Sequence, residues 1–417
     1  MSNIKAVRGT HDLIGEEQRR HAYIVYRAKQ VATSYGFEEW STPIFEETKV
    51  FSRSLGETSD IVSKEMYSFL DRGGESLTLR PEGTAAICRA LVTNGLTQTL
   101  PQKVFYAGPM FRYERPQKGR YRQFHQIGAE LLGAAEPLAD AEMLAMAANI
   151  LEQLGIGASV TLKLNTLGDQ PSRMAWREAL VTYFREVKDQ LSSESQERLE
   201  RNPLRILDSK DEKDKNFVRL APCIEAFLTR EAQIFWDDLR KMLDIFGISY
   251  EEDPSIVRGL DYYSHTTFEF VTTELGAQGT VLAGGRYNGL VQEMGGPAVP
   301  AIGWAAGVER LAMLVTTMPE KNRSVSVIPV GEEALAAGVA IMQQLRLLGV
   351  EVEMAYKGNM KKRMERANKI HASYVLIIGE EEMKTGVIQI KNMETGLQET
   401  IHQHDIGRYF TSSQVRA

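Results

Sequence analysis

Residues 111–130 read FRYERPQKGRYRQFHQIGAE, and this stretch predicts a β-hairpin. Two strand-like runs flank the polar loop RPQKG (115–119), which contains the turn residues proline and glycine. Between Arg112 and Arg122 there are five basic side chains and one acidic one. Arginine binds phosphate with paired N–H donors, so a cationic loop beside a sheet suits a polyanionic ligand.

The returning strand of this hairpin carries polar side chains on one face. Alternation along a strand directs Phe124, Gln126, Gly128 and Glu130 to the same side. That face offers an aromatic ring, an amide and a carboxylate, with open space at the glycine. The alternative is a solvated charged hairpin, but Gln126 and Glu130 have apolar neighbours, among which unpaired polar groups are costly. We therefore predict a binding site here.

The chain before the polar segment TTMPEKNRS (316–324) predicts an antiparallel sheet with helices. Short connections join its strand-like runs, which favours hairpins over parallel pairing. The predicted strands are 76–80, 103–112, 122–132, 256–272 and 279–286, and the predicted helices are 16–35, 137–154, 224–246 and 304–314. Residues 170–220 lack strand-like alternation and show one apolar helical stripe, so we predict a helical insertion there.

A different pattern follows residue 324. Strands alternate with helices there, which indicates a parallel or mixed sheet and a separate α/β domain. We therefore expect the α+β fold class, divided into four parts. These are an antiparallel-sheet core at 1–169 and 221–318, a helical insertion at 170–220, a linker at 319–324 and an α/β domain at 325–417.

Composition excludes several classes of protein. With 43% apolar and 25% charged residues, the chain is neither collagen-like nor wholly disordered. Its net charge of −6 means that any nucleic acid must meet locally basic surface. The sequence has no apolar run of about 20 residues, and its two cysteines, Cys88 and Cys223, cannot build a disulfide framework. We expect both cysteines to be buried and the protein to be cytoplasmic, without a membrane partner.

Motifs for phosphate loops and metals are missing from the sequence. It contains no GxxxxGK[ST] segment, and its seven histidines show no zinc-type spacing, so we expect no metal site. The segment LRPEGTAA (79–86) instead places Glu82 and Thr84 just before a helix. These residues could hold a ligand amine or cap the helix, and the two roles are compatible.

Three later segments combine arginine with glycines, and the first two also contain tyrosines. VRGLDYYSHTTFEF (257–270) and AGGRYNGLV (283–291) are the first two, although a glycine pair alone is typical of a plain tight turn. The third, AIGWAAGVERLAML (301–314), places Arg310 on an apolar helix. This arginine needs an anionic partner, which is either a ligand or the adjacent Glu309.

Taken together, these segments resemble class II aminoacyl-tRNA synthetases, most closely the histidine–tRNA ligases. GFEEWSTPIFEETKVF (36–51) resembles motif 1, with Pro43 at the place of the interface proline. The hairpin resembles motif 2, and IGWAAGVERLAML resembles motif 3. RGLDYYSHTTFE and AGGRYNGLV resemble the two segments that distinguish the histidine enzymes, so they carry the specific part of the resemblance.

The resemblance implies a reaction in two steps. ATP, entering with Mg²⁺, and L-histidine form histidyl-adenylate and pyrophosphate. The histidyl group then passes to the terminal adenosine of its tRNA, and AMP is released. No tightly bound prosthetic group is implied. An arginine, here Arg258, is implied where related enzymes use a metal ion.

The resemblance also assigns roles to individual residues. Arg112 and Arg258 would be the catalytic arginines at the α-phosphate, and Arg120 and Arg310 would hold the β- and γ-phosphates. The residues implied to bind histidine are Glu82, Gly83, Thr84, Arg112, Gln126, Glu130, Arg258, Tyr262, Tyr263 and Tyr287. Within this set, the α-amino group would be held by Glu82, Thr84 and Gln126, and the imidazole by Glu130, Tyr263 and Tyr287, with Tyr262 adjacent.

Further partners follow from the resemblance. It implies an obligate homodimer with motif 1 at the interface, a C-terminal anticodon-binding domain, and an insertion near the acceptor arm of the tRNA. KGNMKKRMERANK (357–369) has six basic residues and one acidic, which suits RNA backbone, although a solvated helix face is the alternative.

The sequence departs from the family pattern at one place, and three rival functions stay open. Ser264-His265 stands where many members have Thr-Gly, so His265 either crowds the pocket or points away. One rival is the regulatory subunit of ATP phosphoribosyltransferase, which resembles the ligase core but lacks the anticodon domain. The others are a class II ligase for proline, threonine or glycine, and a generic RNA-binding module.

Overall fold

The computed structural model describes residues 4–55, 61–209, 211–257, 262–276, 279–319 and 324–411. The chain separates into two compact units, unit 1 before the junction of Met318 and Pro319 and unit 2 after it. Most of the predicted linker lies outside the described residues. Within the described ranges, no helix has the length and apolar character needed to span a membrane.

Unit 1 contains both strands and helices. Its strands are β1 (Glu38–Glu39), β2 (Phe45–Glu47), β3 (Tyr67–Leu70), β4 (Ser76–Leu79), β5 (Gln102–Phe111), β6 (Gln123–Leu132), β7 (Thr161–Thr166), β8 (Glu251–Glu252), β9 (Ser264–Val271), β10 (Thr280–Arg286) and β11 (Ala301–Gly307). Its helices are α1 (Glu16–Ser34), α2 (Thr48–Leu55), α3 (Thr84–Thr93), α4 (Pro137–Gln153), α5 (Gln170–Glu186), α6 (Ser193–Arg201), α7 (Glu212–Arg219), α8 (Arg230–Phe246), α9 (Leu290–Glu293) and α10 (Val308–Leu314).

The main sheet of unit 1 is largely antiparallel, as the short connections predicted. Its strand order is β1-β5-β6-β11-β10-β9-β7-β8, and the parallel pairs, β1 with β5 and β7 with β8, lie at its two edges. Strands β5 and β6 form the predicted hairpin, with Tyr106 opposite Gly128. A smaller sheet has the order β2-β4-β3.

Two predicted helices are wrong in their first parts. Residues 301–307 form strand β11, which pairs with β6 on one side and β10 on the other, so helix α10 begins only at Val308. Hydrogen-bond partners on both edges outweigh the weak strand propensity of glycine and alanine. Helix α8 begins at Arg230, because Thr229 accepts a 3.1 Å hydrogen bond from the backbone N–H of Ala232 and caps it. Of the predicted strand at 256–272, residues 258–261 lie outside the described residues, and β9 covers Ser264–Val271.

Helices α1, α4 and α8 cover one face of the main sheet. Ile24, Leu144 and Trp236 of these helices belong to the same buried cluster as Ile127 of β6. Successive side chains of a strand point to opposite faces, so the residues of β6 in the register of Gln126 point the other way. Helix α3 covers part of that opposite face through Ile87 and Leu91, and the region around Gln126 is available for a polar site.

The predicted helical insertion contains helices α5, α6 and α7. The predicted stripe is buried at Trp176, Leu180 and Phe184. One of the two cysteine predictions is wrong, because Cys88 is buried but Cys223 is exposed.

Unit 2 has the α/β architecture that its alternating pattern predicted. Its strands are β12 (Val325–Pro329), β13 (Val352–Met354), β14 (Tyr374–Ile378), β15 (Val387–Asn392) and β16 (Gln398–His402), and its helices are α11 (Glu333–Leu347), α12 (Met360–Lys369), α13 (Glu380–Thr385) and α14 (Ile406–Thr411). The sheet order is β13-β12-β14-β15-β16; β12 is parallel to β13 and β14, and the remaining pairs are antiparallel. Lys361 and Lys362 of α12 are exposed.

Candidate active site

Unit 1 contains a cavity of about 330 Å³ beside β6, β9, β10 and β11. The hairpin loop, the start of α3 and the start of α10 complete its wall. The predicted site residues that line it are Glu82, Thr84, Arg112, Arg120, Gln126, Tyr262, Tyr263, Tyr287 and Arg310. The fold therefore brings together residues that are far apart in the sequence.

Arg112 is held in place at the cationic side of the cavity. Its Nε donates a 2.9 Å hydrogen bond to the carbonyl oxygen of Pro81, and its guanidinium carbon lies 5.3 Å from the ring centroid of Phe124. Glu114 lies between two arginines, 3.2 Å from Arg120 and 4.0 Å from Arg112. This carboxylate offsets part of the positive charge and orients both side chains.

Arg310 adds a third cation from helix α10. Its Nη1 donates a 2.7 Å hydrogen bond to the carbonyl oxygen of Thr280. Burial, followed by the positive charge of Arg120, lowers the pKa of the Arg310 guanidinium. Like charges this close repel one another, so an anion bound between them would be stabilising.

Glu82 and Gln126 add uncharged and acidic polar groups to the cavity wall. Glu82 accepts hydrogen bonds from the backbone N–H groups of Thr84 (2.6 Å) and Ala85 (2.9 Å), so it caps α3. Burial raises the pKa of its carboxyl. The Oε1 atom of Gln126 is buried and has no hydrogen-bond partner among the described residues. A buried acceptor without a partner is costly, and a ligand N–H would satisfy it.

Glu130 lies one layer behind the cavity wall. Its side chain is completely buried; Thr84 Oγ1 donates a 2.7 Å hydrogen bond to it, and the hydroxyl of Tyr287 donates another. Burial raises the pKa of the Glu130 carboxyl to about 8. Gly303, which lines the cavity, packs directly against this carboxylate. Glu130 therefore orients two lining side chains.

Three tyrosines form an aromatic cluster at this end of the cavity. The ring centroids of Tyr262 and Tyr263 are 4.6 Å apart, and those of Tyr262 and Tyr287 are 5.6 Å apart. Burial raises the pKa values of Tyr262 and Tyr287, which keeps their hydroxyls protonated as donors. Gly83 lies behind the wall, where a Cβ would overlap the ring of Tyr106.

Comparison with known families gives a match over most of the chain. Residues 9–311 match the family described as histidyl-tRNA synthetase, and residues 324–412 match an anticodon binding domain. The chain belongs to the histidyl-tRNA synthetase family.

Individual relatives agree along the whole length. The histidine–tRNA ligase of Gluconacetobacter diazotrophicus is 66% identical over 398 residues, covering 95% of this chain and 96% of that protein. That of Gluconobacter oxydans is 61% identical over 415 residues, covering 100% of both. The crystal structure of apo S. aureus histidyl-tRNA synthetase has a TM-score of 0.84 at 36% identity, covering 98% of this chain and 100% of that one. The predicted α+β synthetase fold is confirmed.

Membership in the histidyl-tRNA synthetase family makes the chain an aminoacyl-tRNA ligase. The generic RNA-binding module and the ligases for proline, threonine and glycine are thereby excluded. The match to an anticodon-binding domain disfavours the regulatory subunit of ATP phosphoribosyltransferase, which lacks that domain.

Two residues of the histidine-specific segments are not on the cavity wall. His265 has a φ of +49°, in the left-handed region that favours the glycine of many family members. Its ring packs on Phe235 of α8 at 4.5 Å, so of the two predicted outcomes it points away from the pocket. Arg286 is completely buried and donates a 3.0 Å hydrogen bond from Nε to Asp140 of α4, which anchors β10. Arg258 lies outside the described residues.

The sequence did not predict several residues that line the cavity, namely Glu114, Tyr121, Glu269, Trp304 and Glu309. A signal existed for Glu114, since it is the acidic residue among five basic ones in the loop. A second signal was the strand alternation at Glu269. The position of Trp304 on the cavity wall could not be predicted, because its segment was predicted as a helix.

Proposed function

We propose that this enzyme activates L-histidine with ATP in the cavity of unit 1, forming histidyl-adenylate and pyrophosphate, and then transfers the histidyl group to its tRNA. The observation that carries this proposal is that one cavity is lined both by Arg112, Arg120 and Arg310 and by Gln126 and the tyrosines. A triphosphate requires the first set and an amino acid with a polar ring requires the second.

The arginines hold ATP. Arg112 contacts the α-phosphate, where negative charge develops as the histidine carboxylate attacks phosphorus. Arg120 and Arg310 hold the β- and γ-phosphates, and Mg²⁺ arrives with ATP as part of the substrate. Burial and then the positive charge of Arg120 lower the pKa of Arg310, and a bound phosphate would offset that repulsion, which supports this assignment. Arg258 stays a predicted second contact to the α-phosphate.

The polar region holds the amino acid. The ammonium group of histidine donates to the unpartnered Oε1 of Gln126, and Glu82 and Thr84 lie beside it. The hydroxyls of Tyr263 and Tyr287 reach the ring nitrogens of the imidazole. A site built on such polar pairs rejects apolar analogues by roughly 10⁴-fold, because its own groups would be left unpaired.

Catalysis in this arrangement is by positioning and charge stabilisation. The nucleophile is the substrate carboxylate, so no side chain has to form a covalent bond. The cavity fixes this carboxylate against the α-phosphate, which removes the entropic cost of bringing two molecules together.

The decisive experiment is ATP–pyrophosphate exchange measured with each proteinogenic amino acid. Histidine should support exchange, and exchange driven by another amino acid instead would refute the assignment. The variant Gln126→Leu should raise the KM for histidine by about tenfold or more, because it removes a hydrogen bond to a charged group. Gln123→Leu is the matched control, since Gln123 is exposed on the same strand. Equal KM values for the two variants would contradict the placement of the ammonium group.

Unit 2 is proposed to bind the tRNA anticodon region. Support comes from the family match and from the exposed lysines Lys361 and Lys362 on α12. Positive side chains on one helix suit the phosphate backbone of RNA.

We also propose a homodimer in the cytoplasm. The small sheet of unit 1, whose strand β2 lies within motif 1, exposes the apolar side chains of Phe45 and Phe69 on one of its faces, where they are 49% and 46% exposed. Exposed apolar side chains grouped in this way are typical of a protein–protein interface. Cys88 and Cys223 are both free thiols, which suits a reducing compartment. Sedimentation equilibrium of the full chain measures the assembly, and a monomer at micromolar concentration would refute the dimer.

A further inference from the structure

Three potential metal ligands meet beside the active site, although the sequence predicted no metal site. They are His21 of α1, His125 of β6 and Glu309 of α10, and one ligand atom from each lies within 4.8 Å of the others. His21 is 6% exposed and Glu309 is 7% exposed. The rings of His21 and His125 meet edge to face, with centroids 5.7 Å apart.

An unpartnered nitrogen of His21 indicates that this cluster binds a ligand. Its Nδ1 atom is buried and has no hydrogen-bond partner among the described residues. A buried imidazole nitrogen without a partner is costly.

Hydrogen bonds fix the positions of His125 and Glu309 relative to each other. Glu309 accepts hydrogen bonds from the backbone N–H of His125 at 2.9 and 3.0 Å, and its Oε1 lies 2.9 Å from His125 Nδ1. The carboxylate therefore has a fixed position next to both rings.

Space for an ion and its water molecules adjoins the cluster. A second cavity of about 380 Å³ is lined by His21, Glu309, Glu17 and Tyr121, among others. Glu17 brings a second negative charge to this space. The guanidinium of Arg20, which also lines it, donates a 2.7 Å hydrogen bond to Glu16.

We propose that His21, His125 and Glu309 form a binding site for a divalent cation of the Zn²⁺ type. Two imidazoles and one carboxylate are ligands that zinc and its transition-metal neighbours prefer, whereas Mg²⁺ prefers oxygen. Three protein ligands leave a fourth position for water from the adjoining cavity. The ion is a different one from the Mg²⁺ that accompanies ATP, although Glu309 also lines the active-site cavity.

An ion at this place joins three elements of unit 1. It connects α1 to β6 and to the start of α10, where Glu309 directly precedes Arg310. The ion thereby fixes the end of the helix that presents Arg310 to the active-site cavity. Its role is structural and positioning, and it takes no part in the chemical steps.

The test is a titration of the full chain with Zn²⁺ in competition with a chromophoric chelator. Wild type should bind one ion per chain at this site. His21→Phe keeps an aromatic ring against His125 but removes both nitrogens, and Glu309→Gln removes the charge. Each variant should weaken Zn²⁺ binding by at least about tenfold. Removing a residue that only hydrogen-bonds to a metal ligand already costs about tenfold in affinity, and removing a ligand itself should cost no less. Circular dichroism without metal checks that each variant is folded.

A matched control distinguishes this cluster from surface histidines. His402 and His404 of unit 2 stack with centroids 5.3 Å apart and are the competing pair for a soft cation. The double variant His402→Ala/His404→Ala should keep the site, and Co²⁺ bound to wild type should show no thiolate charge-transfer band. The proposal is overturned if that double variant loses the ion, if both His21→Phe and Glu309→Gln keep wild-type affinity, or if wild type binds no Zn²⁺ at micromolar concentration.

Discussion

Glu130→Gln removes a titrating group from the interior of unit 1 while keeping the shape of the side chain. In wild type, the hydroxyls of Thr84 and Tyr287 donate to the two carboxylate oxygens. Glutamine keeps one acceptor oxygen, and a hydroxyl can rotate to accept from its NH₂ group. The substitution therefore removes the titration of this carboxyl while keeping its packing.

The size of the effect follows from the pKa of Glu130. Burial raises it from the ordinary value of 4.5 to about 8 in the folded protein. Between these values the folded state holds a proton that the unfolded state has lost, so wild type loses stability as the pH rises. The slope is at most about 1.4 kcal/mol per pH unit, and the loss between about pH 6 and about pH 8 comes to about 2 kcal/mol. The glutamine variant lacks this contribution.

Urea unfolding followed by tryptophan fluorescence, repeated across this pH range, measures the effect. The informative quantity is the difference in free energy of unfolding between wild type and Glu130→Gln, because the other titrating groups cancel. Wild type should lose about 2 kcal/mol relative to the variant as the pH rises. Glu197→Gln, an exposed glutamate on α6, is the control and should follow wild type. A wild-type-to-variant difference that is independent of pH would refute the reasoning.

Three further predictions concern other parts of the molecule. Asp140→Asn leaves the buried Arg286 without its anionic partner and should lower the free energy of unfolding by roughly 3–5 kcal/mol, measured with urea; a loss below about 1 kcal/mol would contradict a buried ion pair. Gly83→Ala places a Cβ against the buried ring of Tyr106 and should cost about 1–3 kcal/mol in the same assay, whereas an unchanged midpoint would show that the ring moves freely. Lys362→Ala should lower the slope of log tRNA affinity against log salt by about one, and an unchanged slope would show that this lysine touches no phosphate.

Elements with a signal inside their own segment could be predicted from the sequence. Helix α4 was predicted at 137–154 and is found at Pro137–Gln153, because Pro137 starts it and Gly155 follows its end. The hairpin of β5 and β6 is equally local. Strand β11 could not be predicted in the same way, since its pairing depends on two strands that are distant in the sequence.

The candidate site also has one part that the sequence could predict and another that it could not. Strand alternation predicted that Gln126 faces the cavity, and the structure places it there. It could not tell that Glu130, on the same face, lies behind the wall, because this depends on Thr84 and on Gly303 of a neighbouring strand. The cluster around His21 could not be predicted from the sequence either, because its members come from three separate elements.

Glycines limit how the end of the cavity that we propose to hold the amino acid can be altered. Gly83 and Gly128 both lie against the ring of Tyr106, and Gly303 lies against the carboxylate of Glu130. A methyl group at any of these positions meets an atom that is already packed. A variant that charges a larger amino acid therefore has to replace tyrosines of the cavity by smaller residues. The layer that contains these glycines is already fully packed and cannot provide extra volume.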